Sequence, residues 1–68
     1  MERIPVSSSN VVSVGYDEPS LTLEVEYRAG VYQYTGVPPE TYSDLMNAGS
    51  IGAFMNDVIK PNFPYTQV

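Results

Sequence analysis

Tyr32 and Tyr34 stand two residues apart in the stretch VYQYTGVP (31–38). Phenol rings at that spacing share one face of a β-strand. There they can stack against flat bases or fill half of a small core. Few cations could serve a phosphate beside them: Arg3, Arg28 and Lys60 are the only basic residues. The junction Gly49-Ser50-Ile51-Gly52 adds a further candidate, because it reads as the start of a helix, where free backbone N–H groups and the positive dipole end gather. Ser50 would cap that helix, and Gly52 would let a ligand come close to the backbone. The same four residues read equally as a plain helix–helix turn. Asn56 falls at the margin of an apolar helical stripe, where its amide can tie down a loop or read the edge of a base. Ser7, Ser8, Ser9 and Asn10 can cap backbone at a sheet edge or line a polar pocket. Arg28 and Lys60 also read as solvated surface charge.

Catalytic chemistry finds little to work with. The chain has no histidine and no cysteine. Asp17 and Glu18 are neighbours in a turn, and no serine has an evident base partner. Glu24 and Glu26, on one face of a strand, offer few ligands and no second shell for a metal. The expectation is a non-catalytic protein without cofactor or metal.

Length and charge narrow the classes further. A chain of 68 residues makes one domain, and one this small is hard to stabilise alone. No disulfide or zinc staple is possible, so association into a homo-oligomer is expected. Net charge is −5, and no basic stripe of the kind that long nucleic acids require is present. No apolar run could span a bilayer and no signal-like segment is visible, so no membrane partner and a cytoplasmic location are expected.

The elements that must position these residues follow from periodicity. NVVSVGY (10–16) reads as a strand with Val12, Val14 and Tyr16 on one face and Val11 and Ser13 on the other. LTLEVEYR (21–28) alternates Leu21, Leu23, Val25 and Tyr27 with Thr22, Glu24, Glu26 and Arg28, a half-buried antiparallel strand. Ala29-Gly30 reads as the two-residue turn of a hairpin, and VYQYT (31–35) returns. Pro38 or Pro39 opens a helix that buries Tyr42, Leu45 and Met46 and ends at Gly49. Ser50 starts a second helix with Ile51, Phe54, Met55, Val58 and Ile59 as its stripe, stopped by Pro61. Residues 1–9 read as an extended lead-in and turn, and the tail NFPYTQV folds back through Phe63 and Tyr65. The predicted fold is α+β: a three-stranded antiparallel β-meander followed by two short α-helices packed on one face, β-β-β-α-α.

A two-residue turn at Ala29-Gly30 sets Arg28 opposite Val31, Tyr27 opposite Tyr32, Glu26 opposite Gln33 and Val25 opposite Tyr34. Tyr32 and Tyr34 then join Leu23, Val25 and Tyr27 on the core face. The pair reads as mainly core, with its hydroxyls at the rim of the helix layer. A slip of one residue would reverse the faces.

In this order the pieces VSSS (6–9), VGYD (14–17), LTLEVEYRAG (21–30), VYQY (31–34), GVPPETY (36–42) and FPY (63–65) resemble the KTSC domain. So does the run S-x-G-x-F-x-N-x-x-I-K at Ser50, Gly52, Phe54, Asn56, Ile59 and Lys60. This short module occurs at the C-terminus of some lysyl-tRNA synthetases and as a stand-alone protein, and Tyr-x-Tyr is its hallmark. The synthetase context implies RNA as a ligand. The family is rich in Arg and Lys around the second helix and tail, whereas here Lys60 is the only cation of that region. Two functions are therefore expected. One is binding of a nucleotide-like small molecule or a short RNA through Tyr32, Tyr34, Arg28, Ser50, Gly52, Asn56, Lys60 and Ser8. The other is protein interaction or self-assembly, with the tyrosines purely structural.

Overall fold

The computed structural model describes residues 1–68. Its frame is one five-stranded antiparallel sheet in chain order: β1 (Arg3–Pro5), β2 (Val11–Asp17), β3 (Thr22–Tyr27), β4 (Gly30–Tyr34) and β5 (Tyr65–Gln67). Helix α1 (Pro39–Met46) follows β4. A second helical segment then runs without a break through α2 (Ile51–Phe54), a π-helical stretch (Met55–Ile59) and α3 (Lys60–Asn62). No helix is long and apolar enough to cross a membrane.

The α+β class is as expected, but the three-stranded meander is corrected to five strands. The two additional strands are three residues long, and neither alternates visibly on its own. β1 pairs Arg3 with Gly15 and Pro5 with Ser13. A Cβ at Gly15 would lie 2.6 Å from the Glu2 carbonyl oxygen, so only glycine admits the chain there. β5 pairs Tyr65 with Tyr34 and Tyr32 with Gln67. Hydrogen bonds from the Thr35 N–H to Pro64 and from the Val68 N–H to Val31 continue that pairing at both ends.

Burial concentrates between the sheet and the helices. Val14, Leu23, Val25 and Tyr34 from the strands meet Val37, Leu45, Met55 and Ile59 from the other side. Tyr16 stacks on Tyr42 of α1, centroids 4.6 Å apart and planes within 8°. The Tyr16 hydroxyl donates to the Val37 carbonyl, so one side chain fixes both α1 and the segment that leads to it. Gly36 turns that segment at φ +76°, in the left-handed region.

Local departures have local causes. In β2 the register shifts between Val11 and Ser13. This bulge sends Val11 into the core and leaves Val12 exposed, the reverse of simple alternation. Leu21 adopts φ +54° in the turn ahead of β3 and is 38% exposed, not a core member. Its carbonyl there accepts the Val37 N–H at 2.9 Å. The β3–β4 turn is Arg28-Ala29, with Tyr27 opposite Gly30, Val25 opposite Tyr32 and Leu23 opposite Tyr34. The register thus differs by two residues from that expected, and an even shift preserves the faces.

The helix ends differ too. α1 closes on Asn47, whose backbone and side-chain N–H groups both donate to the Ser43 carbonyl, and Gly49 lies beyond the cap. Pro61 does not stop the second segment, which continues to Asn62. Proline has no N–H, and its ring presses on the carbonyl four residues back. The backbone widens ahead of it, and the Lys60 N–H reaches the Met55 carbonyl five residues earlier.

Candidate functional site

Tyr34 is 2% exposed and belongs to the core. Tyr32 is half-buried beside it. The expectation that the pair is mainly core therefore holds for Tyr34, while Tyr32 sits at the rim. Around them lies a groove of about 320 Å³ lined by Tyr27, Ala29, Tyr32, Tyr34, Lys60 and Tyr65. Tyr32 meets Tyr27 and Tyr65 edge-on, each at 5.6 Å between centroids. The Tyr27 and Tyr34 hydroxyls are 2.9 Å apart and share a hydrogen bond. Burial raises both phenols above the ordinary tyrosine value, so each stays a neutral O–H into more alkaline solution than a free tyrosine would.

A second groove of about 340 Å³ adjoins the first. Its polar wall is Asn10, Arg28, Gly52, Asn56 and Lys60, over a floor that includes Val11 and Met55. Asn56 and Lys60 lie four residues apart on the helical segment and so face the same side. Arg28 leans back from the β3–β4 turn, its Nε donating to the Ser9 carbonyl at 3.0 Å. That bond leaves the two terminal amino groups of the guanidinium for other partners. Tyr27, Ala29 and Lys60 line both grooves. The Lys60 ammonium sits over the Tyr27 ring, 5.2 Å from its centroid.

Six of the eight expected residues are brought to these walls: Tyr32, Tyr34, Arg28, Gly52, Asn56 and Lys60. The other two serve the backbone. Ser50 caps the second helical segment, accepting the Ala53 N–H at 3.2 Å, and lines neither groove. Ser8 accepts the N–H groups of Asn10 and Val11, each at 3.4 Å, and shapes the entry to β2. Its Oγ would stand 3.7 Å from a Cβ at Gly52. Tyr27 and Tyr65 line the aromatic groove without having been singled out. Tyr27 carries the signal in its alternation with Val25. Tyr65 does not, because only the β4–β5 pairing brings it there.

Charge is divided unevenly. Arg3 makes every ion pair in the chain, to Glu24 at 2.5 Å and to Glu26 at 3.8 Å. Arg28 and Lys60 have no carboxylate partner, and no carboxylate lines either groove. No group of three or more His, Cys, Asp or Glu side chains could hold a metal ion.

Comparison with known proteins gives a consistent answer. The sequence model of the KTSC domain matches residues 7–63. The crystal structure of a KTSC domain protein from Yersinia pestis superposes with a TM-score of 0.96 at 43% identity, covering 98% of this chain and 96% of that one. An uncharacterized protein of Stutzerimonas stutzeri is 44% identical over 62 residues, 90% of this chain and 87% of its own. A lysine–tRNA ligase of Nostoc punctiforme is 38% identical over 61 residues, which span 88% of this chain and 11% of the ligase.

Proposed function

The chain belongs to the KTSC domain family, and from that premise we propose that it is a small non-catalytic module binding a nucleotide-like ligand: a small nucleotide, held in sequestration, or a short RNA. The carrying observation is the placement of charge. In a chain of net charge −5, the two cations without an acidic partner both line one polar groove, which joins a groove walled by tyrosines. Tyrosine faces suit bases, and a guanidinium beside an ammonium suits phosphate. The similar module in a lysine–tRNA ligase adds support for RNA as one form of the ligand. Titration calorimetry against nucleotides and short single-stranded RNA tests the reading. Heat is expected with at least one of them, reduced about tenfold in affinity by Lys60→Ala. Absence of heat with all of them, at protein concentrations well above micromolar, would overturn it.

Self-assembly is a second reading, favoured by the outer edge of β5. That strand carries no charge and no proline, and both Tyr65 and Val68 are exposed. Edges without such blocks can pair with another copy. Sedimentation equilibrium is expected to reveal a dimer that Gln67→Pro disperses, because the β4–β5 hydrogen bonds alternate and leave the Gln67 N–H on the outer edge. A monomer at every concentration would remove this reading.

A further inference from the structure

Resting on the reading of a nucleotide-like ligand, we propose that the two grooves are lobes of one site and that its occupant is a mononucleotide. The base lies in the tyrosine lobe, the phosphate lies in the Arg28–Asn56 lobe, and Lys60 spans the two.

The lobes share the walls formed by Tyr27, Ala29 and Lys60. At this shared wall Ala29 presents only a methyl, where a longer side chain would intrude on both lobes. Each lobe alone lies near the lower limit for small-ligand pockets, which run from about 300 to 1,000 Å³. Joined, they accommodate a ligand with two chemically different ends.

The tyrosine lobe has the requirements of a flat ring that carries an acceptor atom. Tyr65 is 62% exposed on the outermost strand, so beside its contacts with Tyr32 and Tyr34 its ring keeps surface open to a base. The Tyr27–Tyr34 hydroxyl pair uses one of its two protons internally. The other O–H remains to donate to a ring nitrogen or a carbonyl oxygen, the atoms that line the edge of every base. The polar lobe has the opposite character. The Arg28 amino groups and the carboxamides of Asn10 and Asn56 offer donors to phosphate oxygens and sugar hydroxyls.

Charge limits the length of the ligand. Arg28 and Lys60 together match one phosphate dianion. The remaining cation, Arg3, is held by Glu24 and Glu26 on β3, and the eight acidic residues all lie outside the grooves. Each further phosphate of a strand would leave the reach of the two cations and meet a negative surface. Lys60 is the adaptable member. Its ammonium rests on the Tyr27 ring and exchanges that contact for the phosphate when the site fills.

Backbone amide chemical shifts followed by NMR during titration test the inference. The probes are adenosine 5′-monophosphate, uridine 5′-monophosphate, adenosine, inorganic phosphate and a short single-stranded RNA. A monophosphate is expected to move the amides of Tyr65 and Gly52 together along one isotherm. Adenosine moves those of the tyrosine lobe alone, phosphate those of the polar lobe alone, and each binds at least about tenfold more weakly. Tyr65→Ala removes the stacking ring and weakens the monophosphate about tenfold. Gly52→Ala places a methyl 3.7 Å from Ser8 Oγ, an ordinary contact that the fold tolerates. That methyl narrows the polar lobe and weakens the same ligand with an unchanged circular dichroism spectrum. Monophosphates that move only one lobe, or that bind no better than adenosine, overturn the inference. Binding of the RNA without the mononucleotides overturns it too while sparing the binding function, and silence from every probe removes both.

Discussion

The two faces of the sheet are built from alternate residues of the same strands, and they are held by different forces. On the helix-covered face, Val14, Leu23, Val25 and Tyr34 lose nearly all contact with water, and the hydrophobic effect supplies the stability. No helix covers the other face, yet Glu24 is only 7% exposed there. Its neighbours cover it instead: Arg3 from β1 and Gln33 from β4 both donate to its carboxylate. Ser13 accepts from Arg3 and donates to Glu26. A carboxylate this buried stays charged because it is fully paired. The contrast shows that the centre of a sheet face can exclude water with a polar network alone, provided every buried side-chain polar atom has a partner.

The comparison can be broken most forcefully on the covered face. Leu23→Ala, at a site with no exposure, is expected to cost about 2–5 kcal/mol in urea unfolding. That is a large share of the roughly 3–10 kcal/mol that a domain of this size commands. Alkali attacks the same face. Burial raises the Tyr27 and Tyr34 hydroxyls above the ordinary value of 10.0, so the folded protein keeps protons that the unfolded chain releases. Their contribution is complete below that value and is lost as pH climbs through the raised ones. The midpoint of urea unfolding should therefore fall at high pH, and fall less in Tyr27→Phe.

The open face should respond more mildly. Arg3→Met leaves Glu24 with Gln33 as its one partner, and about 1–3 kcal/mol should be lost. Adding Glu24→Leu should recover much of that loss, because a well-packed apolar pair can replace an ionic one. Without recovery, the network would owe its strength to something beyond mutual neutralisation. The smallest effect is the response of this face to acid. The hydrogen bond from Gln33, then those and the charge of Arg3, hold the Glu24 carboxyl below its ordinary value of 4.5, against the opposing effect of burial. Above that value the contribution is complete, and it is lost as pH falls through the depressed one. Thermal unfolding should show this acid limb in the native chain and a shallower one in Arg3→Met.

How much of this was legible in the sequence depended on whether the signal was local. The strong alternation of Leu23, Val25 and Tyr27 placed Tyr32 and Tyr34 on the core face despite a turn misplaced by one position, because the resulting two-residue shift keeps parity. The Ser50 cap was legible from the serine and the helical stripe behind it. β1 and β5 were not, since strands of three residues are made by their neighbours and carry no period of their own. The bulge at Val11 and the left-handed turn at Leu21 were equally hidden, because tertiary contacts override what each residue prefers alone. Of the site, Arg28, Gly52, Asn56 and Lys60 were legible as separate candidates. Their gathering around Tyr27 was not, as it depends on how the helical segment crosses the β3–β4 turn.

The serial strand order also governs how the domain can be joined to other proteins. β1 and β5 form opposite borders of the sheet, separated by four inter-strand steps, or roughly 19 Å. Tyr65, which walls the aromatic groove, lies on the β5 border. A neighbour tethered ahead of β1 would hang from the far border and leave the groove open. One tethered after Val68 would emerge on the β5 border beside Val31, at the Ala29 end of the groove, and shade it. The fold therefore carries a handed preference for attachment, with its N-terminal side as the permissive one.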